Sequence, residues 1–116
     1  NTPLQALALL NEITYVEAAR KLGERMLTEG GATPEERLTY GFRLATARKP
    51  SRDELRILAD GLREDLARFQ SAPDTVKQYL SVGTSQSSDK LNPAELAAYS
   101  LTANVLLNLD EVVTRE

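Results

Sequence analysis

Four segments of this chain carry the pattern that begins an α-helix: a side-chain oxygen followed three residues later by a carboxylate. They are Thr33-Pro34-Glu35-Glu36, Ser51-Arg52-Asp53-Glu54, Ser71-Ala72-Pro73-Asp74 and Asn92-Pro93-Ala94-Glu95. Such an oxygen accepts hydrogen bonds from backbone amides that have no partner in a first helical turn. Proline at the first helical position strengthens the first and last of these segments, and the third fits most loosely. The pattern predicts a succession of short helices, and Thr2-Pro3 predicts one more at the chain start.

The apolar residues between these segments recur at helical spacing. One stripe consists of Leu55, Leu58, Ala59, Leu62, Leu66 and Phe69. Similar spacing predicts helices over residues 4–27, ended by Gly30-Gly31, from residue 34 to before Pro50, and from Val76 to Gly83. No stretch alternates with the period of two that marks a half-buried strand, so no sheet is expected.

The segment from Leu96 to Leu109 has no charged residue, and its apolar residues lie around the whole helix. A helix that is apolar all round is typical of the centre of a core. We therefore expect an all-α fold: a compact bundle of five or six helices, the first and last packed together. The small, polar residues 84–91 are expected to form a mobile surface loop within it.

Length and composition are consistent with a single domain over residues 1–116, because 41% hydrophobic residues can enclose one modest core. The chain opens at Asn1 rather than Met, and we expect it to be a fragment of a larger protein. No run is apolar enough for a transmembrane helix, so membrane insertion is not expected.

The chain contains no cysteine and no histidine. This excludes thiolate zinc sites, disulfides, c-type haem attachment and imidazole bases from the chain itself. Its formal net charge of −3 does not favour binding to a phosphate backbone. We therefore expect no catalytic residue, no metal, no other cofactor and no nucleic-acid partner.

A helix-turn-helix remains an alternative for residues 34–47 and 52–69. It would offer the cations Arg43, Arg48, Lys49, Arg52 and Arg56. The supposed recognition helix also carries Asp53, Glu54, Asp60, Glu64 and Asp65, which would repel phosphates. Arg43 and Arg48 are instead expected to pair with nearby glutamates or to lie over apolar surface.

A polar cluster near the chain end is the candidate site: Asn104, Asn108, Asp110 and Glu111. The two asparagines share one helix face within an apolar segment. We predict that they are buried and satisfy backbone groups of a neighbouring helix end or of residues 1–5, because unpaired buried amides are costly. The functional alternative is an oxygen-rich Ca²⁺ or ligand site, although the chain lacks a dense acidic loop.

Asn1-Thr2-Pro3-Leu4-Gln5-Ala6-Leu7, Leu9-Leu10-Asn11 and residues 104–111 together resemble the C-terminal part of the planctomycete-specific PSD-type domain of unknown function. The resemblance implies a larger exported bacterial protein, often with cytochrome c-like domains upstream, and hence an extracytoplasmic location. It supplies no catalytic residues.

The function expected from this resemblance is a non-catalytic structural or protein-interaction module at the C-terminus of that larger protein. Its partners would be the upstream domains of the same chain or another protein. The alternative is an accessory part of an enzyme, for example a polysaccharide-active one, whose site lies mainly upstream. Convergent carboxylates in a pocket would favour the enzyme, and an apolar surface patch would favour docking.

Overall fold

The computed structural model describes residues 17–80 and 91–115, with side chains up to residue 109. Within the described part, helix α1 covers residues 17–29. It is followed by α2 (Pro34–Thr46), α3 (Arg52–Gln70), α4 (Pro73–Leu80) and α5 (Pro93–Arg115). Neither described range contains a β-strand. The predicted all-α bundle of five or six helices is confirmed, with five helices in the described residues. The predicted start of the first helix, and residues 84–90 of the loop predicted at 84–91, lie outside the described residues.

Three of the four predicted helix starts are confirmed at the level of hydrogen bonds. The Thr33 hydroxyl accepts a bond from the Glu36 amide at 3.2 Å, and the Asn92 side-chain oxygen accepts one from the Glu95 amide at 3.1 Å. Before α3 the arrangement is reciprocal. The Ser51 hydroxyl accepts from the Glu54 amide at 3.1 Å, and the Ser51 amide donates to the Glu54 carboxylate at 2.8 Å.

The fourth predicted start is only partly right. Helix α4 does begin at Pro73, but Ser71 ends α3 rather than opening α4. Its hydroxyl donates backwards to the carbonyls of Ala67 and Arg68, at 3.3 and 3.0 Å. Ser71 and Ala72 are the two residues between the helices. Because Ser71 directly follows α3, it lies within reach of the unpaired carbonyls at the end of that helix, and these accept its hydrogen bond.

The turns after α1 and α2 both use left-handed backbone. Gly31 has a φ of 120°, as the Gly30-Gly31 pair predicts. After α2 the left-handed residue is Ala47, with a φ of 62°, and its amide donates to the Arg43 carbonyl at 2.9 Å. Alanine rarely adopts this conformation, so the sequence gives no sign of this turn.

Helix α5 organises the core, as predicted, because it packs against α2, α3 and α4. Residues 96–100 at its start are all buried. Beyond them only one face is buried, and Val105, Asn108 and Leu109 are exposed. The prediction that this helix is buried all round is therefore wrong for its second half. Apolar composition alone does not show whether a neighbouring helix is long enough to cover each turn.

The first and last helices pack together at Gly23 and Ser100, as predicted. A Cβ atom on Gly23 would lie 2.9 Å from the Ser100 backbone nitrogen and 3.0 Å from its hydroxyl oxygen. Cβ atoms do not approach other heavy atoms so closely without displacing them. Glycine at position 23 therefore permits the close approach of α1 to α5.

Arg48 and Glu54 join the ends of α2 and α3. The Nη1 and Nη2 atoms of Arg48 each donate to one carboxylate oxygen of Glu54, at 2.9 Å. The Cζ atom of the same guanidinium lies 4.7 Å from the centroid of the Phe42 ring. The hydrogen bond from Arg48, followed by the one from the Ser51 backbone, lowers the pKa of Glu54 from 4.5 to about 2. Glu54 thus belongs to both the ion pair and the helix cap.

Since the pKa of Glu54 is lowered by folding, its contribution to stability is present above pH 4.5 and is lost as the pH falls towards 2. Glu54→Gln is therefore expected to reduce the loss of stability between pH 5 and pH 3, measured by urea unfolding at each pH. Asp53→Asn is the matched control, because it removes a carboxylate from the same turn and leaves the Ser51 cap intact. Equal pH dependence in the parent chain and Glu54→Gln would contradict this assignment.

Candidate functional site

An apolar groove lies between α3 and α5 on the surface. It encloses about 380 Å³. Its lining consists of Ile57, Leu58, Gly61, Leu62, Asp65, Leu101, Thr102, Asn104 and Val105. Two packed helices leave a groove of this kind where no third helix of the described residues covers their contact.

The walls of the groove are formed by apolar side chains that face solvent. Ile57 is 65% exposed and Val105 is 49% exposed. Leu109 continues the α5 wall one turn beyond Val105 and is also exposed. Such an alignment on two adjacent helices differs from the scattered apolar residues of an ordinary surface.

The floor of the groove is open at Gly61. A Cβ atom on Gly61 would have no neighbour within 4 Å, in contrast to Gly23. Nothing in the packing of the described residues therefore requires glycine at position 61. Its absent side chain leaves the backbone of α3 accessible to an incoming group.

The polar groups of the groove carry little unbalanced charge. Asp65 already pairs with Arg68, with 2.7 Å between the carboxylate oxygen and the guanidinium nitrogen. Thr102 is buried, and Asn104 is half-buried. This composition suits an apolar, uncharged segment better than a charged ligand.

Of the predicted polar cluster, the structure describes the side chains of Asn104 and Asn108. Asn104 lies half-buried in the wall of the groove, whereas Asn108 is exposed, so the prediction that Asn108 is buried is wrong. Position 108 falls on the outer face of α5. The side chains of Asp110 and Glu111, and the predicted partners at residues 1–5, lie outside the described residues. A scaffold or ligand role for the four residues stays a prediction.

Among the residues that the structure describes, carboxylates from different helices do not converge in the surface pockets on α2 and between α4 and α5. The pocket on α2 contains Glu35 and Glu36, which belong to one helix. The cleft between α4 and α5 contains one carboxylate, Asp74, with Lys77 beside it. Within residues 17–80 and 91–109, no group of three or more acidic side chains could hold a metal ion.

Three of the four arginines of α3 lie close to aspartates on the same helix. Arg56 and Arg63 each have a guanidinium nitrogen 3.5 Å from an aspartate three residues earlier, and Arg68 has the closer contact described above. Arg48 is held by Glu54. The supposed recognition helix therefore presents alternating charge rather than a basic face.

The burial of Arg20 was not predicted from the sequence. This residue is 1% exposed, and its Nη1 donates to the carbonyl of Leu80, the last residue of α4. Its Nε and Nη2 are buried without a partner among the described residues, as is the Ser100 hydroxyl. One signal existed in the sequence: Arg20 falls in a helical stripe with Val16, Gly23 and Leu27.

Comparison with known proteins gives a family but no activity. A family model described as PSD1, protein of unknown function (DUF1553), matches residues 1–62, which is just over half of the chain. Neither the curated proteins nor the solved structures include a match. No helix in the described part of the chain is long and apolar enough to cross a membrane.

Proposed function

The chain belongs to the PSD1 (DUF1553) family of proteins of unknown function, and we propose that it is a non-catalytic docking module. It forms the C-terminal domain of a larger exported bacterial protein, and its α3–α5 groove receives an apolar segment of the upstream part of that protein. The observation that carries this proposal is the exposure of Ile57 and Val105 on facing walls of one groove.

The size of the groove favours a tethered occupant over a free one. Complete burial of one Val, Leu or Ile side chain contributes about 1.5–3 kcal/mol. The walls of the groove present three such side chains, Ile57, Val105 and Leu109, each of which is already partly buried in the isolated chain. Association of two separate molecules costs about 4–15 kcal/mol in lost translational and rotational freedom. A segment of the same protein avoids much of this cost, because the linker supplies a high effective concentration.

The open floor specifies how the segment approaches. With no side chain at Gly61, the backbone of the occupant can come close to α3, while its apolar side chains contact Ile57 and Val105. An amphipathic helix with apolar residues at intervals of three or four fits a groove of this shape. The absence of convergent carboxylates from the pockets described above supports a role without chemistry of its own.

The test uses the absence of cysteine from this chain. A thiol is introduced by Ile57→Cys, and its rate of maleimide labelling is measured by mass spectrometry in the 116-residue chain and in the full-length parent. Docking predicts labelling at least about tenfold slower in the parent, since tenfold corresponds to only about 1.4 kcal/mol of docking free energy.

Leu44→Cys is the matched control, because Leu44 is 45% exposed on α2, away from the groove. Its labelling rate is expected to be the same in both proteins. If Ile57→Cys also labels equally fast in both, the groove is open in the parent and the docking proposal fails.

A further inference from the structure

The side-chain amide of Asn104 is a polar group of the α3–α5 groove that has no hydrogen-bond partner among the described residues. The other polar side chains of the lining differ from it. Asp65 is engaged with Arg68, and Thr102 is only 5% exposed, so it presents little surface to an occupant. Asn104 is half-buried, and an occupant of the groove would cover what remains exposed.

Covering Asn104 with apolar groups would oppose docking. In the isolated chain, water reaches the exposed part of the amide and can accept and donate its hydrogen bonds. An occupant displaces that water, and a polar group that is buried without a new partner keeps the full cost of its desolvation. Buried polar groups in native proteins are hydrogen-bonded almost without exception. The occupant must therefore bring a partner for this amide.

We propose that Asn104 is the specificity-determining residue of the groove, and that it pairs with an Asn or Gln side chain of the docking segment. This role rests on the docking function proposed above. An amide carries both donors and an acceptor, and a second amide satisfies both kinds of group. The partner is a side chain, because a helical segment uses its own backbone groups internally.

A charged partner is disfavoured at this position. Its charge would be buried beside a neutral amide, which compensates it poorly. The carboxylate of the groove is already bound, since Asp65 lies 2.7 Å from the Arg68 guanidinium. An uncharged amide therefore fits the groove better than lysine, arginine or a carboxylate.

The position of Asn104 also fixes the register of the segment. On the α5 wall it lies between the apolar lining residues Leu101 and Val105. A segment shifted by one turn would bury its own amide, and that of Asn104, against apolar side chains. A single asparagine in the apolar seam of a coiled coil sets the register in the same way.

Asn104→Leu in the Ile57→Cys background tests this role. Leucine has the branching of asparagine but no hydrogen-bonding group. Protection is the maleimide labelling rate of the isolated chain divided by that of the full-length parent, each carrying the same substitutions. We expect Asn104→Leu to lower the protection about tenfold, which corresponds to about 1.4 kcal/mol, because the amide of the segment loses its partner.

An occupant that is apolar opposite position 104 gives the opposite sign. Asn104→Leu would then raise the protection, because no amide remains to be desolvated. Raised or unchanged protection in Asn104→Leu overturns the proposal. If Ile57→Cys is not protected in the parent even with Asn104 in place, the docking function itself fails, and the role of Asn104 fails with it.

Two further variants separate hydrogen bonding from shape and position. Asn104→Ala removes the same amide without adding bulk, and it should also lower the protection. If only Asn104→Leu lowers it, the cause is a steric mismatch and the proposal is overturned. Asn108→Leu is the matched control, because Asn108 is an exposed asparagine of the same helix that does not line the groove. Its protection should equal that of Ile57→Cys alone.

Discussion

Leu106→Ala is expected to lower the free energy of unfolding by about 2–5 kcal/mol, as the removal of a buried leucine side chain usually does. Leu106 is completely buried in the core cluster and belongs to α5, which packs against α2, α3 and α4. A cavity at this position weakens contacts with several helices, so the loss should fall in the upper part of that range. Urea unfolding at neutral pH measures it.

Val105→Ala is the matched control for Leu106→Ala, because Val105 is the preceding residue of the same helix but faces the groove. Removal of the two Val105 methyl groups should change the free energy of unfolding of the isolated chain by no more than about 0.5 kcal/mol, the usual range for a surface position. Similar losses in the two variants would contradict the one-sided burial of the second half of α5.

Gly23→Ala is expected to destabilise the chain by about 1–3 kcal/mol, the usual cost of forcing extra volume into a packed contact. The added methyl would lie 2.9 Å from the Ser100 backbone nitrogen, and α1 or α5 must move to admit it. This outcome opposes the intrinsic preference of helices for alanine over glycine, which is about 1 kcal/mol. Thermal unfolding and urea unfolding both report the difference.

Gly61→Ala is the matched substitution at an open site, and its effect on the isolated chain should have the opposite sign. Nothing lies within 4 Å of the added methyl, and its helix prefers alanine. A gain of about 0.4–1 kcal/mol is expected from the reduced freedom of the unfolded chain. No loss of stability in Gly23→Ala would show that α1 and α5 do not pack at Gly23 as described. A loss in Gly61→Ala would show that position 61 is not open.

The positions of the helices could be predicted from the sequence because the signals that set them are local. Thr33, Ser51 and Asn92 each bond to an amide three residues later, within their own helix start. Proline and glycine act on the backbone of their immediate neighbours. The buried residues Leu62 and Phe69 of α3 also follow from the helical spacing of their own segment.

The candidate site could be predicted only in part. The sequence predicts a polar cluster that includes Asn104, and Asn104 does line the groove. Its expected companion Asn108 is exposed, and the groove itself was not foreseen. A groove is defined by how two helices pack against each other, and no local pattern in α3 or in α5 predicts that packing.

What the sequence by itself determined is therefore the all-helical class, the starts of α2, α3 and α5, and the central place of α5. The hydrogen bonds of Ser71 and the left-handed turn at Ala47 are local, but no pattern in the sequence predicted them. Tertiary structure decided that Arg20 is buried and that Gly23 lies against Ser100. Each of these depends on atoms brought close by the packing or spacing of separate helices. Hydrogen-bond partners and burial at such positions are properties of the assembled bundle, since contacts between distant segments exist only after the chain has folded.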